Sequence, residues 1–132
     1  MNEKSALVGL HNPAYLRYVS LLMQAEGIKV TKARTLDDML QAMGVITTDS
    51  GSAMPKNLFT HYFMDLNLGQ SASLDYSPAK RVYDLVNPYT ESGEAKFLGV
   101  SANFKTVELA QKAGIPAELG NFKTFKKFIE QG

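Results

Sequence analysis

Two apolar runs in this chain stop on groups that can do chemistry. HYFMDL at 61–66 has the composition of a buried strand until Asp65 interrupts it near its carboxyl end, and KFLGVS at 96–101 ends in the hydroxyl of Ser101. A strand-end aspartate ordinarily caps a turn, and a strand-end serine ordinarily caps the next helix. The pair says more than either residue alone, because parallel strands deliver their carboxyl ends to one edge, where a carboxylate and a hydroxyl can face one ligand. The run from Ala6 brings Leu10, His11 and Asn12 to the same edge, and Gly120 and Asn121 reach it at the far end of the chain. A protonated His11 beside Asp65 would lower the carboxyl pKa; its plainer role is a hydrogen bond at the start of the following helix. Asp75 offers a second carboxylate, from a loop.

The rest of the composition removes much other chemistry. The 132 residues include no cysteine, and His11 and His61 are the 2 histidines, which excludes disulfides, thiolate metal sites, cysteine nucleophiles and a multi-histidine metal cage. Lys and Arg number 14 against 13 Asp and Glu, and a formal charge of +1 leaves no basic footprint for nucleic acid over the whole domain. No Gly-rich phosphate loop comes after the first strand, which weighs against a flavodoxin-like flavin, nucleotide or small-ligand binder, and no enzyme is expected. The amino-terminal apolar run is too short for a signal peptide or a membrane span, so a cytoplasmic protein with no membrane partner is expected. With 45% apolar and 20% charged residues, the expectation is one globular domain over 1–132.

The elements that must position these groups alternate. Ala6 to Leu10 reads as a strand, and Pro13 opens a helix over Ala14 to Glu26 with Leu16, Val19 and Met23 on one face and Gly27 after its end. Ile28, Val30 and Ala33 fit a half-exposed strand, and Thr35 caps a helix carrying Met39, Leu40 and Met43. The stretch 44–60 reads as an irregular surface excursion, because Thr47 to Gly51 is rich in turn formers and Pro55 and Asn57 break up its second half. A second loop, 67–77, leads to Ser77 as cap and Pro78 as first helical residue, with the helix ending near Pro88. Strand 96–101, a helix from Thr106 to Ala113, a last strand at Pro116 to Leu119 and a helix from Phe122 to Gln131 complete five strand–helix repeats. Such alternation implies a doubly wound α/β fold: a five-stranded parallel sheet in the order 2-1-3-4-5.

Over nearly its whole length the sequence resembles the receiver domain of two-component response regulators, a flavodoxin-like architecture. HNPAYLRYVSLLMQAEGIKV looks like that family's first helix and second strand, FMDLNLG resembles the motif around its phosphoacceptor aspartate, and LGVSAN resembles the strand bearing its hydroxyl. The resemblance implies that Asp65 is the phosphoacceptor, that the Asn67 carbonyl and Asp65 are ligands of a weak Mg²⁺ site, and that Ser101 binds a phosphoryl oxygen. Two charged features of the family are missing. Leu10 and His11 stand in place of the acidic pair that holds Mg²⁺, and Gly120 and Asn121 fall where a lysine precedes a proline, unless Lys105 or Lys123 swings in. The family's switch aromatic would be Ala117.

Phosphorylating a carboxylate brings a phosphoryl dianion up to an anion, and a divalent cation plus an ammonium normally offset that repulsion. Without them the expectation is a stand-alone pseudo-receiver of a phosphorelay, one that requires no cofactor and switches by protein interaction. A phosphorylation-competent response regulator using Asp65 is the alternative. The expected partner is a protein, either a histidine kinase or a downstream effector. It would bind at loops 67–76 and 103–106, with Leu74 and Phe104 as contacts, and the basic face of Lys123, Lys126 and Lys127 could meet an acidic surface.

Overall fold

The computed structural model describes residues 3–47, 49–68 and 75–130. The first strand, β1 (Ser5–Gly9), leads through Asn12 into α1 (Pro13–Ala25). The Asn12 side chain accepts from the N–H groups of Ala14 and Tyr15, and Pro13 lacks an N–H that would have had no acceptor within the helix. After α1 come β2 (Lys29–Ala33) and α2 (Leu36–Met43), which Thr35 caps and Gly44 closes in the left-handed conformation at φ 62°.

The excursion after α2, expected to be irregular, contains a regular element. β3 (Val45–Thr47) and β4 (Ala53–Pro55) form an antiparallel hairpin with Ile46 opposite Met54 and Val45 opposite Pro55. Pro55 is compatible with a strand here because a two-stranded ribbon leaves one side of each strand without a ladder partner. The chain beyond it returns to α2, whose final carbonyls it satisfies: Asn57 donates its backbone N–H to the Met43 carbonyl at 2.8 Å and its side-chain amide to the Ala42 carbonyl at 3.1 Å.

The sheet resumes with β5 (His61–Asp65), then α3 (Ser77–Glu91), β6 (Lys96–Ser101), α4 (Phe104–Lys112), β7 (Ala117–Leu119) and α5 (Phe122–Glu130). Three helix boundaries differ from expectation. α3 runs through Pro88 to Glu91, Tyr76 rather than Ser77 holds its cap position, and Asn103 caps α4, which starts two residues before Thr106. The five parallel strands lie in the order β2-β1-β5-β6-β7, which is the expected 2-1-3-4-5 once the hairpin is set aside.

Central strands of a parallel sheet are covered on both faces, which explains why β1, β5 and β6 are almost continuously apolar. Leu7, Tyr62, Met64 and Phe97 pack under α2, α3 and α4. Ala6, Val8, Phe63, Leu98 and Val100 pack under α1 and α5, where Phe63 meets Phe125 and Phe128 at ring separations of 5.2 and 5.7 Å. These two layers fix where each strand ends, and therefore where the polar residues that terminate them stand.

Candidate functional site

Asp65 ends β5, and the end of the neighbouring strand holds its carboxylate: the His11 N–H donates to Asp65 Oδ2 at 2.8 Å. Burial pushes the Asp65 carboxyl above its usual range, while that hydrogen bond and then the His11 charge oppose the shift. His11 therefore acts on Asp65 mainly through its backbone, and the side chain that caps α1 is that of Asn12. Strand alternation gives Asp65 the parity of Phe63, which packs with α1 and α5.

Ser101 ends β6 one residue beyond Val100, the register partner of Asp65. Its parity is that of Phe97, on the α3 and α4 side, so carboxylate and hydroxyl reach the edge from the two faces of the sheet. Ser101 Oγ accepts the Asn103 N–H at 3.0 Å and keeps its proton for donation. Asn67, two residues past Asp65, is half-buried beside this edge.

The other expected residues of the edge have structural duties. Leu10 is fully enclosed and its N–H donates to the Ala33 carbonyl. Asn12 caps α1, and Asn121 Oδ1 accepts the Thr124 N–H in the first turn of α5. The Gly120 N–H donates to the Ser101 carbonyl at 3.0 Å, so Gly120 continues the ladder beyond β7. Asp75 Oδ1 accepts both the N–H and the hydroxyl of Ser77, which holds its carboxyl below the usual range and commits it to the start of α3. Lys105 pairs with Glu108 on α4. Leu74 lies outside the described residues.

Two residues at the edge escaped the strand-end reading. Arg34 directly succeeds β2, and its Nη2 donates to the His11 carbonyl at 3.3 Å, putting a cation on the rim. Its place after a strand was the signal. Tyr15, in the first turn of α1, turns its hydroxyl inward: the residue is part-exposed, yet the hydroxyl is buried with no hydrogen-bond partner. Burial and then the charge of Asp65 push the Tyr15 hydroxyl pKa up. Helical spacing places it on the apolar face of α1, four residues before Val19 and seven before Leu22, but spacing does not give the direction of its hydroxyl.

Side-chain donors for a hard cation are few at this edge. Asp65 contributes a single carboxylate, Leu10 is hydrocarbon, His11 is a poor ligand for a hard cation, and among the described residues no three acidic or histidine side chains gather. A groove of about 700 Å³ bordered by Lys96, Phe97, Pro116, Lys127 and Phe128 lies toward the amino ends of β6 and β7, away from Asp65, and carries none of this chemistry.

Topology and edge together define a doubly wound α/β protein with its crevice at the carboxyl ends of the strands. Its particular form is the receiver fold of response regulators. A chemotaxis response regulator of Vibrio cholerae superposes with a TM-score of 0.70 at 15% identity, covering 98% of each chain. A receiver domain of Methylobacillus flagellatus gives 0.69 at 17% identity, again covering 98% of each chain. A response regulator of Burkholderia pseudomallei, whose structure contains a phosphorylated aspartic acid, a calcium ion and citrate, gives 0.65 at 21% identity over 96% of this chain. This chain spans 66% of that protein's length. No family model and no curated protein matches the sequence. Among the described residues no helix is long and apolar enough to cross a membrane.

Proposed function

We propose that this chain is a signal-transduction module of a two-component system in which Asp65 occupies the phosphoacceptor position but a protein partner, more than phosphorylation, sets the state. The observation that carries the reading is the composition of the carboxyl edge. One half-buried carboxylate stands there with Leu10 and His11 at the end of β1 and Gly120 after β7, so among the described residues neither a second acid to hold a cation nor a lysine is placed where it would offset an arriving phosphoryl dianion. In a low-dielectric crevice that missing compensation slows formation of the phosphoryl group and reduces its power to favour one conformation over another. A ligand that barely distinguishes two states barely shifts them.

Recognition then falls to the loops beside the crevice. Phe104 is 65% exposed at the start of α4, a large apolar side chain with no structural reason to face water. The partner is a histidine kinase or a downstream effector that docks there. The test is intact-mass analysis after treatment with acetyl phosphate and Mg²⁺, in which attack by an Asp65 oxygen on phosphorus would expel acetate with the bonding electron pair. The expected result is little or no adduct, together with partner binding that Asp65→Asn changes by no more than a few-fold and Phe104→Ala weakens. A persistent adduct that Asp65→Asn abolishes, with partner binding dependent on it, would establish the ordinary phosphorylation-driven mechanism.

A further inference from the structure

The hairpin that follows α2 has one edge whose main-chain groups are unspent. Lys56 donates its N–H to the Gly44 carbonyl at 3.1 Å, and bonded pairs alternate along an antiparallel ribbon. The main-chain groups of Ile46 and Met54 therefore face each other, while those of Val45 and Thr47 point away from β4. Among the described residues no hydrogen bond outside the ladder takes them up. The opposite edge is not equivalent: Pro55 has no N–H to offer and is buried, and β4 lies beside α3. β3 carries none of the charged or proline residues that usually blunt a strand edge. There is room beside it, since a groove of about 330 Å³ bordered by Asp37, Leu40, Gln41, Gly44 and Val45 follows one face of α2 to the start of the strand. Ile46 and Met54, register partners, are 47% and 39% exposed on the outer face of the ribbon. The charge of this region is one-sided: from Leu36 to Pro55 the chain carries Asp37, Asp38 and Asp49 and no basic residue. Asp37 makes no ion pair among the described residues.

We propose that the outer edge of β3 docks an extended, basic segment of a partner protein, which adds a third strand to the hairpin beside α2. Main-chain hydrogen bonds to Val45 and Thr47 attach the segment, and its side chains decide which segment fits. A residue opposite Ile46 stands next to it on the exposed face, so a β-branched apolar side chain is favoured there. From Gly44 back to Asp37 the helix rises about 10 Å at about 1.5 Å per residue, the length of about three strand residues, so a lysine or arginine that far along the segment comes level with Asp37. A second copy of this chain is the poorer occupant, because it would bring the same three aspartates to both sides of the contact. The contact is far smaller than a lasting complex needs, so binding is weak and readily reversed. The surface is separate from the Asp65 crevice and does not depend on the chemistry there.

The experiment titrates the full chain with the synthetic peptide acetyl-KTVTVT-amide and follows the amide NMR shifts of Gln41, Val45 and Thr47. A companion peptide carries glutamate in place of lysine. Wild type, Thr47→Pro, Thr47→Val and Asp37→Asn are compared, and thermal unfolding is recorded for each. Thr47→Pro removes a donor that points away from the ladder, so its unfolding midpoint should change little, whereas Thr47→Val keeps that donor and loses only the hydroxyl. The expected result is saturable shifts in wild type at millimolar peptide, binding about fivefold weaker in Thr47→Pro and unchanged in Thr47→Val. Asp37→Asn, or the glutamate peptide on wild type, should cost about threefold. The glutamate peptide tests the charge on unaltered protein, so the outcome does not hang on any variant folding. No shift at Val45 and Thr47 in wild type, or equal binding by Thr47→Pro, overturns the docking edge. Equal binding of the two peptides overturns the basic segment. Shifts of these amides that grow with protein concentration in the absence of peptide, and vanish in Thr47→Pro, would assign the edge to a second copy and overturn the proposal.

Discussion

The His11 N–H and the Asp65 carboxylate meet at 2.8 Å, so the end of β1 is fastened to the end of β5 through the one acid at this edge among the described residues. The bond does not fully compensate for burial, and the folded-state pKa of Asp65 stays above its unfolded value. The folded protein therefore holds more protons than the unfolded chain between those two values, and stability falls as pH rises through that window. Asp65→Asn keeps an oxygen for the His11 N–H and removes the charge. Its unfolding midpoint should exceed that of the wild type at neutral pH and converge with it at a pH below the unfolded carboxyl pKa. A midpoint below wild type at neutral pH would mean that the ionised carboxylate stabilises the fold.

His61 gives the opposite slope. Thr60 Oγ1 donates to the Ser5 carbonyl at 2.7 Å and accepts the Ser5 N–H at 2.9 Å, so its single proton is spent. The 2.8 Å contact with His61 Nδ1 must then be a bond donated by the ring, which leaves Nε2 as a bare acceptor, buried without a partner. Burial, then Lys96 and Lys4, lower the His61 pKa below 6.5. The unfolded chain takes up the proton first, so this stability is complete above the unfolded pKa and declines as pH falls through it. Urea midpoints measured at about pH 7.5 and about pH 5.5 should differ in wild type, and His61→Phe should reduce the difference. An unchanged difference would assign the pH dependence to other groups.

Gly99 inside β6 and Gly120 after β7 make contrasting demands on space. A side-chain carbon on Gly99 would collide with Leu66, which is fully buried directly after Asp65, whereas one on Gly120 would meet only ordinary contacts, the nearest being Val100 Cβ at 3.5 Å. Gly99→Ala should destabilise the protein by about 1–3 kcal/mol in urea unfolding, the usual cost of overpacking. Gly120→Ala should change stability by less than about 0.5 kcal/mol. Equal effects at the two positions would show that Leu66 moves aside freely.

The sheet order and the edge that carries Asp65 and Ser101 were readable from the sequence because apolar runs, caps and glycine stops recur with clear spacing, as in Thr35, Gly27 and Lys96 to Ser101. The hairpin was not, because Pro55 and the polar turn between Thr47 and Ala53 argue locally for irregular chain, while the pairing of Ile46 with Met54 is a tertiary fact. The inward hydroxyl of Tyr15 was equally hidden: helical periodicity gives the face a residue occupies and not the direction of its polar tip. Nor could spacing show that Asn12 and Asn121, both at strand ends, spend their side chains on helix caps.

Position 120 gives the most direct control over the crevice. A first side-chain carbon there meets only ordinary contacts, and Gly120 directly follows β7 at the carboxyl edge, so Gly120→Lys adds a cation at that edge. An ammonium close to Asp65 offsets the charge of a bound phosphoryl-like group more strongly than a neutral hydrogen-bond donor does. Gly120→Lys should bind beryllium fluoride, which stands in for a phosphoryl group, about tenfold more tightly than wild type and give a lasting adduct with acetyl phosphate. A Gly120→Lys protein that folds normally yet binds no more tightly would show that position 120 does not face the anion.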